Sequence, residues 1–397
     1  MEIICLTSTE IDTRSAIEDI FARNRSRCLN DADFVAVHLS YEHDFKVVGD
    51  LLTTGKISRL HGGTSCMGVM SNSGIVSENG GGLGVFAIQD PVGSYGTGIS
   101  PLCSDPRTAA RDAVAQALDA ADRQGEAPDL IWLTTSPGTE EEVLRGIADV
   151  VGASVPVVGG SAADNDVSGS WKIFDGSQAM TEGVIVSVLF PSSRLSIAYQ
   201  SGYAPTLKTG VVTRADGRRL IEIDARPAAQ VYSEWSGVPV EVPKGDDTVM
   251  ILSDSTFTPL GRRSGTVAEV PFYLLSHPAS VRADGSIELF ADVAEGDELT
   301  LMQGAAEGLT LRAGRVASFA ASSGRMEPDE VAGALVIYCG GCMLAVRDRM
   351  NEVANGIDTA LGGAPFLGIF TFGEQGPILN GQNAHGNLMI SCVTFAQ

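Results

Sequence analysis

A mixed α/β chain, made of two packed α/β domains with the second richer in antiparallel strands, is the fold class this sequence predicts. Three observations carry it. A length of 397 residues exceeds one ordinary domain, and 44% hydrophobic content supplies two cores. Residues 105–160 alternate helix-like with strand-like runs, the order that gives adjacent, largely parallel strands. Beyond residue 180, pairs of strand-like runs flank turn signals, as hairpins do.

Taken in order, residues 33–39 (DFVAVHL) read as a short apolar strand. Residues 107–123 are Ala-rich, with Ala110, Ala113, Val114, Ala117, Leu118 and Ala121 at helical spacing. Asp105 is the expected N-cap, Pro106 the first helical residue and Gly125 the stop. Residues 129–134 form a buried strand, and Thr139 followed by Glu140, Glu141 and Glu142 opens a second helix whose dipole the acids suit. Residues 155–158 are the next strand, and residues 180–201 hold two more around Pro191-Ser192-Ser193. The stretch 203–209 marks the expected division, with domains at 1–204 and 205–397. After it, Asp216-Gly217 and Asp284-Gly285 signal hairpins, and Arg226 to Trp235 reads as helix. The chain closes with strand 334–338, helix 343–361, strand 366–372, a loop, and strand 387–395.

The charge narrows the partners. A net charge of −22 repels nucleic acid and anionic lipid, so neither is an expected partner. The longest apolar runs are strand-length, well short of the ~20 residues that span a bilayer. Met1-Glu2-Ile3-Ile4-Cys5 lacks the basic and apolar regions of a signal peptide, and seven scattered Cys suit a reducing compartment. A cytoplasmic location is expected.

Several motifs fall in order along the chain. Leu60-His61-Gly62-Gly63-Thr64-Ser65-Cys66-Met67-Gly68 and Val157-Val158-Gly159-Gly160-Ser161-Ala162-Ala163-Asp164 resemble two stretches of the FIST N-terminal domain, the first in altered form. Residues 333–339 (GALVIYC), 365–377 (PFLGIFTFGEQGP) and 383–387 (NAHGN) resemble the FIST C-terminal domain. This resemblance implies a sensory module for small ligands, with amino acids proposed, that signals through an output such as a histidine kinase. No such output segment is left over here, so a separate signalling partner is expected. Some stand-alone members of the family bind haem and sense nitric oxide, which makes a non-covalent haem sensor the second reading.

Three Gly pairs follow short apolar runs, at Gly62-Gly63, Gly159-Gly160 and Gly340-Gly341. Such turns let backbone N–H groups approach a ligand, and in open α/β sheets ligands gather beyond strand ends. Thr64, Ser65 and Ser161 add hydroxyls. Glu374, expected in a Gly-rich loop, and Asp164 offer carboxylates for an ammonium. The expected ligand-binding set is therefore Gly62, Gly63, Thr64, Ser65, Gly160, Ser161, Asp164, Cys339 and Glu374. Where relatives often carry Arg, this chain has Cys342, which takes a charge away from an anionic ligand.

Cys339-Gly340-Gly341-Cys342 is a C-x-x-C between strand and helix, where dithiol redox chemistry is the third reading. It lacks the flanks of thioredoxin-like sites and the second ligand pair of a structural zinc site. Among His38, His43, His61, His277 and His385, His61 and His385 are best placed for haem. No H-E-x-x-H, G-x-S-x-G or Walker A motif occurs, and Gly80-Gly81-Gly82-Leu83-Gly84 precedes a strand-like run where a dinucleotide fingerprint needs a helix. No catalytic residue, no metal ligand and no catalysis are expected.

Overall fold

In this computed structural model, the described residues are 1–23, 29, 31–54, 60–77, 81–102, 105–245, 247–267 and 269–397. They form mixed α/β layers around four sheets. The first sheet runs Glu2–Ser8, Leu83–Gln89, Phe34–Leu39, His61–Thr64, Ile173–Phe174 and Ala179–Met180. Leu83–Gln89 being a strand rather than a helix removes the dinucleotide reading of the glycines before it, of which Gly80 lies outside the described residues.

The second and third sheets draw strands from both ends of the chain. The second runs Asn383–Gly386, Glu374–Pro377, Val157–Ser161, Leu130–Thr135, Gly183–Phe190 and Ser94–Pro101. Its Leu130–Thr135 and Val157–Ser161 strands are parallel, as the β-α-β pattern predicts. The third runs Leu195–Ser201, Met389–Ala396, Val331–Cys339, Phe366–Thr371, Val69–Ser71 and Gly74–Val76. Residues 204–303 build a nine-stranded antiparallel sheet.

Helix Pro106–Ala120 forms where Ala spacing predicts it, with the Asp105 carboxylate accepting from the Arg107 and Thr108 N–H groups. Together with Glu140–Val151 it covers the second sheet, burying Ala110, Ala113, Val114, Ala117, Val143 and Ile147. Helices Ala306–Ser323 and Met350–Ala360 cover the third sheet, and Gly314 meets Gly356 where they cross. The single helix expected over 343–361 is broken into Gly340–Ala345, a 3₁₀ turn at Arg347–Arg349 and Met350–Ala360. Between the sheets, Phe34, Phe86, Trp132, Leu335, Leu367 and Phe395 form the central core. Among the described residues, no helix is long and apolar enough to cross a membrane.

Candidate functional site

The sequence motifs meet one another. Glu374–Pro377 is a strand and not the expected loop, and it pairs antiparallel with Val157–Ser161, Glu374 opposite Gly160 and Gln375 opposite Gly159. His61–Thr64 is likewise a strand, so Gly62-Gly63 and Gly159-Gly160 lie within strands rather than in turns after them. Their glycines serve close packing. A Cβ on Gly62 would lie 2.3 Å from the Phe174 ring, and one on Gly160 would lie 2.3 Å from Thr371 Cγ2. On Gly63 it would lie 2.8 Å from Thr134 Cγ2.

The expected polar contacts are buried and already partnered. Thr64 Oγ1 accepts from Lys172 N at 3.0 Å, and Ser65 Oγ donates to Gly68 O at 2.5 Å while accepting from Phe370 N at 2.8 Å. Asp164 accepts from the N–H groups of Val167, Gly169 and Ser170 at 2.6–2.8 Å, tying its own loop. Glu374 is wholly buried, accepting from Thr371 Oγ1 and Met389 N at 2.9 Å each. Burial, with Cys339 beside it, raises its pKa well above the ordinary carboxylate value.

The C-x-x-C pair lies in the same interior. Cys339 caps helix Gly340–Ala345, and Tyr203 Oη lies 3.6 Å from Cys342 Sγ. Hydrogen bonding to Cys342, then burial, pushes the Cys339 thiol well above its usual range, while burial pushes nearby Cys66 up to about 12. The thiolate that dithiol exchange requires is thus disfavoured at Cys339.

Of the nine expected residues, Ser161 leads outward. Its hydroxyl donates to Glu140 Oε1 at 2.6 Å and lies 3.4 Å from Gln375 Nε2, which reaches His385 Nδ1 at 3.1 Å. Beyond Glu140 stands Arg218, donating from Nη2 to Glu140 Oε2 at 2.5 Å and to Glu141 Oε2 at 2.7 Å, with Nε 3.4 Å from Asp292. Burial pushes Glu141 up, but His385 and Arg218 outweigh it and hold its pKa at about 2. Glu140 is lowered for the same balance of reasons. Glu140, Glu141 and His385 gather closely enough to hold a metal ion, yet the Arg218 guanidinium already supplies the cation.

Glu141 and His385 also line a cleft of ≈ 290 Å³, near the lower end of the roughly 300–1,000 Å³ typical of ligand pockets. Helix Glu140–Val151 gives Leu144, Arg145 and Ala148 to one wall, with Ala153 after it. Arg262, Leu274, Asn383 and Ala384 form the facing wall. Arg262 donates Nε to Ser276 Oγ at 3.2 Å and has no carboxylate partner among the described residues. The sequence reading missed Arg262, Glu141 and Arg218 as site residues. Only the acidic helix start and the Asp216-Gly217 turn hinted at the last two.

The two histidines best placed for haem are both engaged. His61 gives Nδ1 to Ser187 Oγ at 3.0 Å and Nε2 to Thr134 Oγ1 at 2.9 Å. His385 engages Gln375 through Nδ1 and the Phe290 carbonyl through Nε2 at 3.0 Å. Neither of these two rings keeps a free nitrogen for iron. Of the other three, all buried, His277 Nε2 meets the Leu252 carbonyl at 3.0 Å, whereas both ring nitrogens of His38 and Nε2 of His43 have no hydrogen-bond partner among the described residues.

Comparison with solved structures places two chains of cyanuric acid hydrolase alongside, one of them from A. caulinodans. They are 11% identical at TM-scores of 0.36 and 0.37, covering 100% of this chain and 99% of theirs. The expectation that the chain catalyses nothing is withdrawn on this finding, because these chains, matched over the full length, are those of an enzyme. A likeness at such TM-scores carries no particular chemistry across. Uncharacterised proteins of Mycobacterium bovis and Mycobacterium tuberculosis are 28% identical over 242 residues, 58% of this chain and 58% of theirs. An uncharacterised protein of Methanocaldococcus jannaschii is 30% identical over 113 residues, 27% of this chain and 21% of its own. The chain thus spans just over half the length of the mycobacterial relatives it matches. The FIST N domain matches residues 33–226 and the FIST C domain residues 228–377, in the order the motifs predict, so the chain belongs to the FIST family of signalling-associated sensory domains.

Proposed function

We propose that the chain senses a small zwitterionic metabolite, an amino acid or a close analogue, held in the cleft between its N-terminal and C-terminal halves. One observation carries the reading: Arg262, a guanidinium without a carboxylate partner among the described residues, and an ionised carboxylate, Glu141, line the same small cleft from opposite halves. Arg262 suits a ligand carboxylate, and the Glu141 lone pairs left over from Arg218 suit an ammonium. Leu144, Ala148, Ala153, Leu274 and Ala384 offer an apolar wall to the remainder of the ligand. With domains at 1–204 and 205–397, the cleft lies across the division, so a ligand favours one arrangement of the halves. A separate partner, such as a histidine kinase, then reads that arrangement in the cytoplasm, a compartment that suits the five free cysteines of the described residues.

The reading moves ligand contact from Glu374 to Glu141 and Arg262. It is tested by thermal shift of the purified chain against the twenty amino acids. A binder present at 100 times its dissociation constant stabilises by about 2.7 kcal/mol. The shift is expected to vanish in Arg262→Ala and persist in Glu374→Gln. The reverse pattern returns the site to the buried motif residues, and no shift with any amino acid rejects this ligand class.

A further inference from the structure

We infer that Arg218 transmits occupancy of the cleft to the 284–297 region, an inference that rests on the ligand site proposed above. Arg218 is the second residue of a two-residue turn between strands Ala204–Asp216 and Arg219–Ile223. Its guanidinium gathers Glu140 and Glu141 from the first half and Asp292 from the second. Its backbone is clasped by the same region, because Leu289 N donates to Arg218 O at 2.9 Å and Val293 N to Gly217 O at 3.0 Å. The next residue, Arg219, donates Nε to Ser286 Oγ at 2.9 Å and pairs with Asp284 at the neighbouring hairpin tip. One dipeptide therefore joins the acid of the cleft to the Asp284-Gly285 hairpin.

Glu141 is the shared element. Its Oε2 holds Arg218, its Oε1 accepts from Asp292 N at 2.9 Å, and its side chain lines the cleft. A cation arriving in the cleft competes with Arg218 and Asp292 for one carboxylate. Whichever state keeps more of those contacts is favoured by the empty site, and its rival by the filled one. That differential contact is what coupling between two sites requires. Arg219 and Asp284 also line a surface groove of ≈ 600 Å³ with Arg282 and Glu288, so the residue next to Arg218 borders a second, separate opening.

Hydrogen exchange of the full chain, followed by mass spectrometry, tests this without any ligand. Glu141→Gln removes the charge that a bound cation would neutralise. Peptides covering 284–297 are expected to exchange about tenfold faster in Glu141→Gln and in Arg218→Gln. The double variant should be no faster than Arg218→Gln alone, because the amide oxygen introduced by Glu141→Gln can still accept from Asp292 N, leaving the Glu141–Arg218 contact as the one link both changes cut. Strand Gly183–Phe190 should keep its parental exchange. Unchanged exchange at 284–297 in either single variant overturns the inference, as does additivity in the double. If Arg218→Gln unfolds the whole chain, Arg218→Lys takes its place, since a point charge cannot span three carboxylates. Acceleration confined to 284–297 then supports the inference, and none, or the same acceleration everywhere, overturns it. An empty thermal-shift screen rejects the ligand reading alone, because these variants report the link without a ligand.

Discussion

Glu374 and Glu141 are both withdrawn from solvent, yet they stand in opposite electrostatic surroundings. Glu374 lies in the strand pairing that joins the two halves, among thiols, aromatic rings and backbone, with its pKa raised. Glu141 lies at the start of a helix, with Arg218 on one side and the cleft on the other, and its pKa is about 2. One is an acid in a seam where burial disfavours its charge, the other a charge in a socket. The difference teaches that a recurrent Gly-rich motif can mark where two halves are sewn together, whereas a ligand needs a charge that still faces open space.

The largest effect is expected at Arg218. Arg218→Ala leaves Glu140 and Glu141 withdrawn from solvent without their guanidinium partner and is expected to cost ~3–5 kcal/mol in denaturant unfolding. A loss under 1 kcal/mol would mean that solvent already screens the socket. Adding Glu140→Gln to Arg218→Ala should recover part of the loss, since it removes one of the stranded charges.

The two acids also differ in the sign of their pH dependence. Glu141 falls from its ordinary 4.5 to about 2 on folding. Its stabilisation is therefore fully present above pH ~4.5 and lost as pH drops towards 2, a difference of about 3 kcal/mol. Glu374 has the opposite sign: its folded pKa lies above 4.5, so the folded state binds the extra proton and stability declines as pH rises past that value. Urea titrations from pH 3 to pH 8 should show the acid-side loss shrink in Glu141→Gln and the alkaline-side decline shrink in Glu374→Gln. A parental profile in both would dissolve the contrast.

Gly62→Ala probes the seam by volume. With Phe174 only 2.3 Å from the added methyl, overpacking should cost ~1–3 kcal/mol. A neutral Gly62→Ala that altered ligand response would instead favour backbone contact with a ligand. The smallest stability effect is expected for Arg262→Ala, within ~0.5 kcal/mol, because this half-buried side chain has a hydroxyl as its one hydrogen-bond partner among the described residues. Its cost should appear in ligand binding.

Much of the fold was legible because it is written in short-range pattern. The Ala spacing of residues 107–121, the Asp105-Pro106 start and the Asp216-Gly217 turn each name their own local structure. The site was legible only in part. Ser161 and His385 stood out by residue type, and both belong to the polar network behind the cleft. Glu374 stood out as well, but its motif gives no sign that Gly159 and Gly160 supply a pairing strand from two hundred residues earlier.

What the sequence determined by itself was the alternation of elements, the two-part family organisation and the acidic start of helix Glu140–Val151. These depend on neighbours a few residues apart, where periodicity and capping act. Only the tertiary structure decided which acid is a charge in a socket and which lies in a seam where burial disfavours its charge. Glu141, Arg218, Asp292 and His385 are scattered over 245 positions, and their meeting depends on how two sheets share strands from both ends of the chain. A carboxylate's charge follows from the cation and the solvent that reach it, and neither is encoded beside it in the sequence.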